Sequence, residues 1–153
     1  MKAHFSRRAL ASSTVALFLS LACVAPALAA TLTVNVEGLR NSKGQVSVKL
    51  FKNGDEFPKG EAVAKRTVKP SGGKAMLKFD NLEPGTYAMT GYHDENANGE
   101  HDRTSLGLPT EGFAFSNDAK PEGAAPDFQA ASFKLKQDMT VTLRMQYFAD
   151  KKN

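Results

Sequence analysis

Met139-Thr140-Val141-Thr142-Leu143-Arg144-Met145-Gln146-Tyr147 puts Met139, Val141, Leu143, Met145 and Tyr147 on one parity and Thr140, Thr142, Arg144 and Gln146 on the other. Apolar residues at every second position line one face of an extended strand, because successive side chains leave the backbone on opposite sides. The segment predicts a long strand near the end of the domain with one face in a core. Working outward from it, Leu32, Val34 and Val36 alternate with Thr31, Thr33, Asn35 and Glu37. After the turn Asn41-Ser42-Lys43-Gly44 the pattern resumes with Val46, Val48 and Leu50, which predicts a hairpin with one buried face.

Ala75, Leu77 and Phe79 alternate with Lys74, Met76 and Lys78 between the turn signals Pro70-Ser71-Gly72-Gly73 and Asn81-Leu82-Glu83-Pro84-Gly85. Residues 63–68 form a weaker candidate, placed at a sheet edge because Lys65 and Arg66 interrupt the apolar pattern. Ala131, Phe133 and Leu135 mark another strand. With the segment from Thr86 to His93 these make about seven short strands and no convincing helix, so the expected fold is all-β: an antiparallel two-sheet sandwich, immunoglobulin-like or transthyretin-like, with a long crossover loop.

The first 29 residues read as an export signal. Lys2, Arg7 and Arg8 precede an apolar run from Ala9 to Val24, and Ala27-Leu28-Ala29 has the small-x-small form of a cleavage site. The run is shorter than the roughly 20 apolar residues of a bilayer span, so no stable membrane insertion is expected after cleavage. The expectation is one domain, 30–153, in the periplasm or outside the cell. Ser6-Arg7-Arg8 as a twin-arginine signal, and Leu21-Ala22-Cys23 as a lipoprotein site acylated at Cys23, are the alternatives. Removing three basic residues lowers the formal net charge from +4 to +1, which gives no electrostatic case for nucleic acid. Lys134, Lys136, Lys151 and Lys152 read as a solvated face and tail. Cys23 is the only cysteine, so the exported domain has neither disulfide nor thiolate chemistry.

Several motifs in combination resemble one family. They are Thr31-Leu32-Thr33-Val34, Gly38-Leu39-Arg40-Asn41-Ser42-Lys43-Gly44, Val48-Lys49-Leu50-Phe51, Leu82-Glu83-Pro84-Gly85-Thr86-Tyr87-Ala88, His93-Asp94-Glu95-Asn96-Ala97-Asn98-Gly99 and Gly112-Phe113-Ala114-Phe115-Ser116-Asn117. Together they are similar to the bacterial secreted family DUF2141, a domain of unknown function, and the resemblance covers nearly all of the exported chain. Pro84-Gly85-Thr86-Tyr87 also resembles transthyretin-like and carboxypeptidase-regulatory-like sandwiches. Gly91 departs from the pattern, which carries an apolar strand residue there.

Asp94, Asn96, Asn98 and Asp102, with Gly99 between them, place oxygen side chains at positions 1, 3, 5 and 9 of a calcium-type loop. The loop is incomplete: Ser105 stands at position 12, where a bidentate glutamate belongs, and no helical pattern flanks it. A calcium ion would need a further carboxylate, for which Glu111 and Asp118 are candidates. The competing reading is a metal-free turn in which Asn96 and Asn98 bond their own backbone and tolerate left-handed conformations, while Gly99 supplies positive φ. His93 and His101 at the loop ends offer two nitrogens, fewer than a zinc site prefers. His93 reads better as a structural residue at the core's rim.

The connection from Arg103 to Ala130 is long for a compact domain. Short helical turns around Pro109 to Phe115 fit its composition, and Phe113, Phe115 and Phe128 either plug the sandwich or form an aromatic ledge for a protein, peptide or glycan. Ser105, His93 and Asp94 or Asp102 supply the residue types of a hydrolase, but no strand-nucleophile-helix elbow accompanies them. The expectation is therefore an exported non-catalytic binding or structural module. A calcium-stabilised accessory domain and a small periplasmic hydrolase centred on His93 and Ser105 are the alternatives.

Overall fold

The computed structural model describes residues 29–52, 54 and 57–148. Cys23, Lys151, Lys152 and all of the export segment except residue 29 lie outside the described residues. Eight strands follow one another: β1 (Ala30–Glu37), β2 (Gln45–Phe51), β3 (Ala64–Val68), β4 (Ala75–Leu82), β5 (Gly85–Asp94), β6 (Gly112–Phe115), β7 (Phe133–Leu135) and β8 (Met139–Arg144). A one-turn helix, α1 (Phe128–Ala131), precedes β7, with Asp127 capping it through the Ala130 N–H. No helix among the described residues is long and apolar enough to cross a membrane.

The strands form two sheets. One has the order β4-β1-β8, and the other runs β3-β2-β5-β6 with β7 also paired to β5. The outer edge of β5 is shared: Gly85–Tyr87 pairs with β7, and Thr90–His93 with β6. Between the sheets lie Leu32, Val34 and Val36 from β1, Val46, Val48 and Leu50 from β2, Leu77 and Phe79 from β4, Met89 from β5, and Leu143 from β8. Each such side chain, closed off from water, contributes about 1.5–3 kcal/mol relative to exposure. All-β character and two sheets match the alternation in the sequence.

Four expectations are corrected. β1 and β2 are consecutive but belong to different sheets, so the expected hairpin does not form. Strands that face each other across a sandwich and strands that pair within a sheet bury one face alike, and a period of two does not separate them. The sheets are also not wholly antiparallel: β8 runs parallel to β1, from Leu32 opposite Met139 to Glu37 opposite Arg144. Alternation specifies the buried face of a strand and is silent on its direction. Finally, Gly112–Phe115 is a strand, not a helical turn, and Ala131 closes α1 instead of opening β7. A four-residue strand that carries two phenylalanines on one face and glycine and alanine on the other shows little polar alternation.

Gly91 finds its reason in the packing. A Cβ there would meet Leu143 Cδ1 and Met145 Cε at 3.2 Å, so side chains from the opposite sheet occupy the space an apolar residue would take. Gly44, at φ +64°, faces a harder constraint, because a Cβ would overlap the carbonyl oxygen of Asp94. This close approach presses the 38–44 turn against the end of β5. Gly44→Ala is expected to lose more than about 3 kcal/mol in urea denaturation, since backbone must move as well as adopt a disfavoured φ. Gly72 also has positive φ but no atom near its missing Cβ. Gly72→Ala is expected to lose only about 1 kcal/mol, and equal losses at the two positions would contradict the close-packed turn.

Candidate functional site

β5 carries both faces of the functional end. Its inward parity holds Tyr87, Met89, Gly91 and His93, and its outward parity Ala88, Thr90, Tyr92 and Asp94. His93 is fully buried. Its Nδ1 lies 2.9 Å from the Tyr147 hydroxyl and its Nε2 2.9 Å from the Lys43 carbonyl oxygen. A carbonyl only accepts, so Nε2 carries a proton, and in the neutral ring Nδ1 then accepts from the Tyr147 hydroxyl. The Tyr147 oxygen in turn accepts from the Arg40 N–H at 3.1 Å. Both imidazole nitrogens are thus engaged, which matches the structural reading of His93 and leaves no free nitrogen for Ser105 on its exposed loop.

Asp94, Asn96, Asn98 and Asp102 do come together, and their oxygens accept from N–H groups of the protein. Asp94 accepts from the backbone of Asn98 (3.1 Å) and Gly99 (2.8 Å) and from Gln45 Nε2 (2.7 Å). Asn96 Oδ1 accepts from the Asn98 N–H, and Asn98 Oδ1 from the Glu100 N–H. The two asparagine Nδ2 groups donate to the Asp102 carboxylate at 2.7 and 3.0 Å. The asparagines bond the backbone two residues on and Gly99 has positive φ, both as expected, but the other left-handed residue is Ala97, not an asparagine. Among the described residues no group of three or more His, Cys, Asp or Glu side chains is arranged around a metal-sized site. Of the two carboxylates considered as a further ligand, Asp118 pairs with Arg144 instead. Glu111 does face the loop, where its two oxygens accept from the N–H groups of Glu95 (2.8 Å) and Asp102 (3.1 Å).

A clasp that sequence reading missed surrounds this turn. Arg40 forms an ion pair with Glu95, donates to the Thr110 carbonyl at 3.1 Å, and stacks its guanidinium 4.6 Å above the Tyr147 ring. Asn41 also donates to Glu95 at 2.6 Å. Burial raises the pKa of Asp94, but the bonds from Gln45, Gly99, Asn98 and Ala97 outweigh it and leave the carboxyl below its ordinary value. Glu95 is likewise raised by burial and brought below its ordinary value by Arg40 and Asn41.

A cleft lies on the outward face of the five-stranded sheet. Two rows of residues cross its strands in register. One runs Lys65, Lys49, Thr90, Phe115 from β3 to β6, and the next Thr67, Ser47, Tyr92, Phe113. The crossover and the C-terminal segment wall this floor with His101, Arg103, Leu108, Pro109 and Phe148, enclosing a cleft of about 620 Å³. Tyr92 stacks on His101 at 5.7 Å, and Phe113 on Phe148 at 4.9 Å. The proposed aromatic ledge therefore divides. Phe113 and Phe115 line the cleft, with Phe113 only 6% exposed. Phe128 does not line the cleft; it packs against Phe57 in a second cluster with Ala88, Ala119 and Ala131, which Phe115 also joins through Phe57.

Burial is the main cause that lowers the pKa of His101, assisted by Arg103 and opposed by a hydrogen bond with the Glu111 backbone and the charges of Glu111 and Asp102. Its Nε2 is buried with no hydrogen-bond partner, so a proton there would meet no acceptor. In the sequence His101 is legible only as half of a weak zinc pair with His93. Nothing in its spacing showed that it would stand beside Tyr92.

A family model described as "Uncharacterized protein conserved in bacteria (DUF2141)" matches residues 34–142. No curated protein and no solved structure matches the chain.

His101, Asp94 and Glu95 act in the same direction on acidification. His101 binds its proton more readily in the unfolded chain, so its contribution is complete above about pH 6.5 and is lost as the pH falls toward its lower folded value. Asp94 and Glu95 contribute above about pH 4 and lose that contribution as pH falls through their folded values. The urea midpoint should decline in two steps between about pH 7.5 and 3, the upper step missing in His101→Phe. An unchanged upper step in that variant would assign it to another group.

Proposed function

We propose that this chain, which belongs to the DUF2141 family, is an exported, non-catalytic binding module whose ligand site is the cleft on the outward face of its five-stranded sheet. One observation carries the reading. The outward face of a sandwich sheet ordinarily meets water and is polar, whereas here Tyr92, Phe113 and Phe115 form a floor that loop residues wall into a space of about 620 Å³. That volume falls within the range of small-molecule sites, which pair an apolar lining with a few polar groups.

The non-catalytic part rests on His93, whose nitrogens are committed to Tyr147 and Lys43. Export rests on the residue pattern before Ala30. The proposal does not extend to a resident calcium ion, because a cation at the 94–102 turn would have to displace the backbone N–H groups that its oxygens already serve.

The neutral dye N-phenyl-1-naphthylamine tests the cleft. The exported form, 30–153, is expected to bind it saturably with an increase in emission, and Thr90→Trp, which sets an indole on the floor, is expected to abolish binding while the urea midpoint is retained. Undiminished binding in that variant would place the dye elsewhere. When the full chain is expressed in a Gram-negative host, periplasmic protein should begin at Ala30, and recovery of an uncut cytosolic chain would remove the export reading.

A further inference from the structure

Resting on the cleft reading above, the geometry points to an occupant class: we propose an amphipathic carboxylic acid, its carboxylate held between Lys49 and Lys65 and its aromatic or branched apolar body lying over Tyr92, Phe113 and Phe115. Lys49 on β2 and Lys65 on β3 are direct cross-strand partners. Cβ atoms of such pairs stand about 4.5–5.5 Å apart, and like charges at that position oppose pairing of the strands. Among the described residues the ion pairs are Arg40–Glu95, Lys52–Glu83, Lys74–Glu37 and Arg144–Asp118, so neither lysine is neutralised by one of them. Lys59 and Arg103 add positive charge to the cleft wall, against the single carboxylate of Glu100 among the described lining residues.

The two rows of the floor divide the ligand's chemistry along the sheet. At the β3–β2 end the lining side chains are Lys65 and Lys49, and at the β5–β6 end Tyr92, Phe113 and Phe115. Lys65 Nζ lies 5.9 Å from the Tyr92 ring centroid, at the junction of the two halves. A neutral glycan would leave the lysine pair uncompensated. A monoanion with an apolar body meets both halves, and its carboxylate offsets the like charges that the strand pairing places opposite one another.

Displacement of N-phenyl-1-naphthylamine by 2-naphthoate and by the neutral 2-naphthamide tests this on the form 30–153. Naphthoate is expected to displace the dye at roughly tenfold or more lower concentration at low ionic strength, with the gap narrowing in high salt. Lys49→Gln with Lys65→Gln should close the gap and keep dye binding. Lys65→Glu should weaken naphthoate at least about tenfold and yet raise the thermal midpoint, because it converts a like-charge pair into an opposite-charge one. A fall in that midpoint would overturn the premise of an uncompensated pair. Equal displacement by the two naphthalenes would overturn the carboxylate proposal while leaving the cleft reading intact. Absence of dye binding would overturn both. Displacement by maltohexaose or a proline-rich peptide, with naphthoate inactive, would assign the cleft to a different occupant.

Discussion

The imidazole of His93, closed off from water, is the joint on which the functional end depends. A buried polar group left without partners costs about 1–3 kcal/mol, and here the partners come from two distant places in the chain. Lys43 belongs to the turn between β1 and β2, and Tyr147 to the segment after β8. The hydrogen-bonded series from the Arg40 N–H through Tyr147 and His93 to the Lys43 carbonyl therefore gathers both sheets' connections at the end of one strand. Gly44 belongs to the same constraint. Only a residue without Cβ lets the turn approach the Asp94 carbonyl closely enough for Lys43 to reach the ring.

Because β5 alternates, the residue after His93 faces the other way, and there Asp94 takes up the backbone of the turn that follows. Glu111 repeats the device from the far side by binding the N–H groups of Glu95 and Asp102. Residues 94–111 are thus fixed at both ends by carboxylates, and Arg40 ties Thr110 back to Glu95. A chain held in this way enters β6 in a set register, with Ala114 toward the core and Phe113 and Phe115 outward. The cleft floor is a consequence of that register. A one-residue slip would turn the phenylalanines into the sandwich and expose the alanine.

The parts of this arrangement that were legible in sequence are those with local signals. Leu32 to Val36, Val46 to Leu50 and Met139 to Met145 show their buried parity directly, and Asn96 and Asn98 show turn chemistry. What escaped was set by partners far apart in the chain. Arg40 and Glu95 are separated by 55 positions and give no spacing to read. Lys49 and Lys65 each look like an ordinary solvated residue until strand pairing sets them opposite one another. The place of Phe128 off the cleft, against Phe57, was likewise set by α1, a single turn too short to produce a periodic signal.

The loudest motif and the proposed site are consequently different places. The oxygen-rich turn resembles a cation loop because carboxylates and amides that bind backbone N–H groups are the same residue types that bind hard cations. Once those oxygens are committed to N–H groups, the turn serves as an anchor. The cleft shows the opposite relation between cost and use. Aromatic rings on an outward sheet face and two lysines across one rung are both locally unfavourable choices for a free-standing sandwich. Local rules broken together on one surface, beside a rigid clasp that obeys them, are what the proposed binding role of the cleft accounts for.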